Sequence, residues 1–128
     1  MRSSELAATV ARRWVDAWTS GDRPAADTML AGAVGIECNL GWSAERATFL
    51  DVMGQLAAAI DDAVVLSLTT TDRRAALLYE CRLLDAAGSI RMAEFLDLDG
   101  ERVTGVRRVY DLTAVDQLLP GLRGPGAS

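Results

Sequence analysis

The sequence predicts an α+β domain, with three helices packed against one face of an antiparallel sheet. Three observations predict it. Between Ser4 and Ser20, the residues Leu6, Val10, Trp14 and Trp18 recur every four positions, the stripe of an amphipathic helix. Between Val34 and Leu40, Ile36, Cys38 and Leu40 alternate with Glu37 and Asn39, the period of a half-buried strand. From Val64 to Tyr110 the chain is a succession of strand-like segments separated by short turn sequences.

In chain order, Ser3 or Ser4 can cap the first helix, Glu5 suits its first turn and Gly21 is placed to end it. Asp22 and Pro24 open a short second helix that runs through Leu30. The alternating strand follows. Ser43 is the expected cap of a third helix, in which Phe49, Val52, Met53, Leu56 and Ile60 share a face. Four strands are then expected, Val64 to Thr71, Ala75 to Leu84, Ile90 to Leu98 and Val103 to Tyr110. Turns are expected at Thr71 to Arg74, at Gly88 and at Asp99-Gly100.

With 128 residues, the chain has room for one domain, assigned to residues 1–119. Residues 120–128, rich in glycine and proline, read as a flexible C-terminal tail. A net charge of -5 argues against a nucleic-acid surface. No apolar run approaches the roughly 20 residues of a membrane span, and a cytoplasmic location is expected. The chain has no lysine and no histidine, which excludes lysine Schiff bases, histidine-dependent triads and histidine metal sites. No cofactor or metal is expected. Cys38 and Cys81 lack metal-ligand spacing and read as buried free thiols.

If acid–base chemistry occurs in such a chain, carboxylates must carry it, and Glu80 and Glu94 stand in the middle of apolar strand segments. A three-residue loop containing Gly88 would pair Asp85 with Ser89 and set Glu80 opposite Glu94, with β-carbons about 5 Å apart. Two carboxylates so placed are either solvated or share a proton, and sharing makes one of them a general acid. Alternation groups Leu78, Glu80, Arg82, Met92, Glu94 and Leu96 on one face, and Leu77, Tyr79, Cys81, Leu83, Ala93 and Phe95 on the other. It does not say which face is inside. Arg107 and Arg108 take opposite faces of the last strand, so at most one points inward, where it could neutralise Glu94.

The opening run from Val10 to Asp22, VARRWVDAWTSGD, and the closing run from Asp99 to Asp111, DGERVTGVRRVYD, resemble the nuclear transport factor 2-like superfamily. The likeness is to its SnoaL-like and ketosteroid isomerase-like branch and covers residues 5–112. The resemblance implies a cystatin-like architecture, a strongly curved sheet forming a conical pocket, and a homodimer. Trp14 stands where ketosteroid isomerases have a tyrosine, and Cys38 where they have an aspartate base. Their oxyanion-side aspartic acid falls near Ala93 or Glu94. Against limonene epoxide hydrolases, Glu80 matches one aspartate, but Leu78 and Arg108 occupy the positions of the arginine and the second aspartate.

The resulting expectation is a cofactor-independent small-molecule enzyme that isomerises, cyclises or opens an epoxide in an apolar, oxygenated, polyketide- or terpenoid-like substrate. Glu94 would be its general acid or base and Glu80 the partner, with Trp14, Trp18, Cys38, Arg82 and Met92 as substrate contacts. The alternatives are a non-catalytic small-ligand-binding protein with the same pocket, and a dimeric protein-interaction module using the open sheet face.

Overall fold

The structure, a computed structural model, describes residues 3–125. Its elements are α1 (Ser3–Thr19), α2 (Arg23–Met29), β1 (Leu30–Cys38), α3 (Arg46–Ala59), β2 (Ile60–Thr70), β3 (Arg74–Leu83), β4 (Ser89–Asp99), β5 (Arg102–Tyr110) and α4 (Leu112–Leu118), with three-ten turns at Leu84–Ala86 and Pro120–Leu122. The four-residue stripe of α1 faces the interior as expected: Val10, Trp14 and Trp18 are buried, joined by Ala7, Ala11, Val15 and Ala17. Gly21, at φ 77°, ends the helix. The Asp22 carboxylate then caps α2 by accepting from the Ala25 N–H at 3.1 Å.

The strands form one sheet in the order β1-β5-β4-β3-β2. Neighbours from β2 to β5 run antiparallel, whereas β1 joins β5 in parallel, because α3 and three strands intervene in sequence. Register breaks within the β1/β5, β2/β3 and β4/β5 pairs bend the sheet around α1. Where β1 leaves the sheet, Asn39 continues the pairing with its side chain. It donates to the Tyr110 carbonyl at 3.0 Å and accepts from the Tyr110 N–H at 2.8 Å.

Two local expectations give way. The cap position of α3 is Glu45; the Ser43 hydroxyl bonds the Thr48 hydroxyl at 3.3 Å instead. The described part of the expected tail is packed: Leu122 is buried and the Gly124 N–H donates to the Leu40 carbonyl at 2.7 Å. Residues 126–128 of that tail lie outside the described residues. A fourth helix, α4, joins the three expected ones. Its cap is Asp111, which accepts from the Ala114 N–H at 3.2 Å. No described helix is long and apolar enough to cross a membrane.

The largest correction concerns the β3–β4 connection. Arg82, not Asp85, is the residue paired with Ser89, and the register carries Glu80 opposite Arg91 and Glu94 opposite Leu77. The loop is wider than a tight hairpin because Asp85 and Ala86, at φ 59° and 55°, both enter the left-handed region within a three-ten turn. This moves the pairing by three residues, an odd number, so the faces of the two strands combine in the opposite way. Leu77, Tyr79, Cys81 and Leu83 share the inner face with Ile90, Met92, Glu94 and Leu96.

Candidate ligand site

Glu94 lies at the centre of the inner face, directly opposite Arg108 across the β4/β5 pair, and both side chains are completely shielded from solvent. Arg108 Nε donates to Glu94 Oε2 at 2.8 Å, and its Nη2 lies 2.6 Å from the same oxygen. The other oxygen accepts from the Tyr79 hydroxyl at 2.7 Å and from the Trp14 indole N–H at 3.1 Å. Tyr79 in turn accepts from Trp18 Nε1 at 3.1 Å and from Arg108 Nη2 at 3.3 Å, while Arg108 Nη1 donates to the Tyr110 hydroxyl at 3.0 Å. The guanidinium carbon sits 4.5 Å from the Trp18 ring centre and 5.3 Å from that of Phe49, so aromatic faces cover the cation. Among the described residues, Arg123 Nε is the only buried side-chain polar atom without a partner, so the cluster is fully satisfied.

The electrostatics follow from this packing. Burial pushes the Tyr79 hydroxyl well above the ordinary tyrosine range, partly offset by Arg108 and reinforced by Glu94. Tyr110 is raised for the same first reason, with Arg108 again opposing. Burial draws the Arg108 guanidinium down, but Glu94 and the two tyrosines outweigh it and the cation is favoured. Cys38 and Cys81 are both raised by burial, Cys81 to about 12, so neither thiol is an activated nucleophile.

With donors on both oxygens, Glu94 acts as an acceptor held in place. A protonated carboxyl would have to turn its own O–H against one of those donors. The open space lies elsewhere. A recess of about 430 Å³ at the exit of β1 is lined by Ile36, Cys38, Trp42, Ser43 and Phe49, and neither Glu94 nor Tyr79 borders it. Arg108 also lines it, and Phe49, whose ring centre is 5.3 Å from the guanidinium carbon, stacks on Trp14 with ring centres 6.4 Å apart. A larger concavity of about 570 Å³ occupies the outer sheet face around Phe95, Gly105 and Thr69. Its charged groups are exposed and paired with one another, Arg107 with Glu37 and Arg74 with Asp97. The recess shares Glu37 and Arg107 with it but adds the buried Arg108 and the rings of Trp42 and Phe49, and is the better candidate.

Of the residues singled out from sequence, the fold brings Trp14, Trp18, Met92 and Glu94 together inside, and puts Cys38 at the recess. Glu80 and Arg82 are corrected to the outer face by the altered register. There Glu80 accepts from the Ser89 hydroxyl at 2.6 Å and Arg82 pairs with Asp62 at 3.6 Å. Tyr79, Tyr110 and Trp42 were not foreseen. The alternation Val106, Arg108, Tyr110 carried a signal for Tyr110, because a polar-tipped aromatic two residues from an inward arginine shares its face.

The fold is that of the nuclear transport factor 2-like, ketosteroid isomerase-like proteins. No family model matches the chain, and no curated protein does. Among solved structures, a protein from Kribbella flavida is 24% identical with a TM-score of 0.79, over 92% of this chain and 97% of that one. An NTF2-like protein from Cytophaga hutchinsonii is 14% identical at 0.66, over 84% and 91%. A steroid delta-isomerase from Pseudomonas aeruginosa is 11% identical at 0.69, over 91% and 88%.

The buried pair is expected to behave as one unit in denaturant unfolding. Glu94→Gln and Arg108→Met should each cost about 3–5 kcal/mol by stranding the other partner, and the double variant should cost far less than their sum. Strict additivity would show that the two do not act together. Alkaline stability provides a second check. Cys81 ionises near 9 in the unfolded chain but at about 12 in the fold, so the native state holds the proton longer. The Cys81 contribution should be constant below pH 9 and be lost as pH rises from 9 towards 12, alongside that of the two raised tyrosines, and Cys81→Ala should flatten part of the alkaline fall in urea titrations.

Proposed function

We propose that this protein binds a small, apolar, flat molecule in the recess at the exit of β1, and that the Glu94–Arg108 cluster is the rigid wall behind it. The observation that carries this reading is the separation of the open space from the carboxylate. The recess is within the roughly 300–1,000 Å³ range of small-molecule sites and offers two aromatic side chains, Trp42 and Phe49, with the neutral Cys38 thiol between apolar neighbours. In an acid–base enzyme of the isomerase, cyclase or epoxide-opening kind, substrate would have to displace Trp14 or Tyr79 from Glu94.

The quaternary state proposed with this reading is a homodimer through the outer sheet face. Leu78, Phe95 and Val109 are 38–46% exposed there. Three ion pairs around them, Arg74–Asp97, Arg82–Asp62 and Arg107–Glu37, are made within the chain, and Glu80 and Arg91 add opposite charges, so two such faces can meet without net repulsion.

Titration with the fluorescent dye anilinonaphthalene sulfonate tests the site. Cys38→Trp fills the recess and should weaken dye binding at least about tenfold, whereas Arg82→Ala on the outer face should not change it. Unchanged binding in Cys38→Trp would remove the recess from consideration. For the dimer, light scattering on Phe95→Asp should report a mass halved relative to the parent protein; a parent that is monomeric disproves it.

A further inference from the structure

The stretch from Pro120 to Pro125 has the composition of a loose end, yet it grips the loop that walls the recess. The Trp42 indole N–H donates to the Leu122 carbonyl at 2.6 Å, and the Gly124 N–H donates to the Leu40 carbonyl at 2.7 Å. Leu40 is fully buried and completes the inward row begun by Ile36 and Cys38. Trp42 follows two residues later and lines the recess. One bond therefore holds the loop by its backbone and the other by its largest side chain.

The fit of this segment is tight at one point and anchored at two others. A Cβ on Gly124 would lie 2.6 Å from the Gly41 carbonyl carbon and the Trp42 nitrogen, main-chain atoms that cannot swing aside. Leu122 is buried, its N–H donating to the Leu119 carbonyl at 3.0 Å. The Arg123 guanidinium reaches back to Asp116 on α4 at 3.2 Å.

We propose that Leu122, Arg123 and Gly124 form a latch that positions Trp42, sets the width of the recess and so selects which apolar ligands fit. This rests on the recess being the ligand site. A wall ordered in advance does not have to be ordered on binding, so release of the latch weakens binding even though the latch never touches the ligand. Loss of one such hydrogen bond corresponds to roughly a tenfold change.

Fluorine NMR of the full chain labelled with fluorotryptophan, combined with anilinonaphthalene sulfonate titration, tests the latch in Gly124→Val and Trp42→Phe. In Gly124→Val the Trp42 resonance should move and broaden while those of Trp14 and Trp18 stay, and the dye should bind about tenfold more weakly. Trp42→Phe keeps an aromatic ring and loses the N–H donor, and should weaken the dye to a similar degree. A fixed Trp42 resonance in Gly124→Val, or dye affinity unchanged in Trp42→Phe, overturns the latch. If Gly124→Val does not fold, Trp42→Phe decides alone. Dye that fails to bind the parent protein overturns the recess reading instead, and the Trp42 resonance still reports whether the segment positions that side chain.

Discussion

The ion pair between Glu94 and Arg108 is the constraint on which the arrangement of the interior depends. A carboxylate and a guanidinium removed from water are tolerated only when each finds its partner and the remaining donors and acceptors are used. That requirement reaches beyond the two strands that carry the charges. Trp14 and Trp18 deliver indole N–H groups from α1, Tyr79 delivers a hydroxyl from β3, and Tyr110 receives the guanidinium from two residues along β5. A slip of α1 by one turn, or of β4 against β5 by one residue, would leave several of these groups without partners at once. The network therefore specifies the packing as well as occupying it.

The same network explains why the space over the inner face is filled. In a curved sheet wrapped around helices, the space over the inner face can hold either a ligand or the protein's own side chains. Here two indoles, two phenols, a phenyl ring and a guanidinium fill it. Space remains at the sheet edge, where β1 departs and Asn39 replaces main-chain pairing with side-chain bonds. A shared architecture consequently says little about where a ligand goes, since that depends on which side chains occupy the cone.

Most of the fold was legible because it rests on periodicity. The stripe of α1, the alternation of β1 and the apolar face of α3 are all repeated signals, and each was realised except that Ile60, expected at the end of the α3 face, opens β2. The register of β3 against β4 was not legible, since it depends on how many residues the loop uses, and Asp85 and Ala86 give no sequence sign of their left-handed conformation. That single uncertainty separated Glu80 from Glu94 and concealed Tyr79, although alternation within each strand was read correctly. Glu94 and the two tryptophans were found by their composition and spacing. Trp42 was missed because an isolated aromatic in a loop carries no period, and the packed end of the chain because glycine and proline mark both loose segments and tight ones.

The β3–β4 pairing also restricts where related chains can change in length. A residue gained or lost within the paired stretches Leu77–Arg82 or Ser89–Glu94 would break the alternation and turn either Tyr79 or Glu94 to the outside, unless a bulge restored the match. Between Leu83 and Gly88, outside the paired residues, the chain can lengthen or shorten without turning either side chain. A charge pair in the interior thus divides one surface hairpin into strands whose length is fixed and a tip whose length can drift.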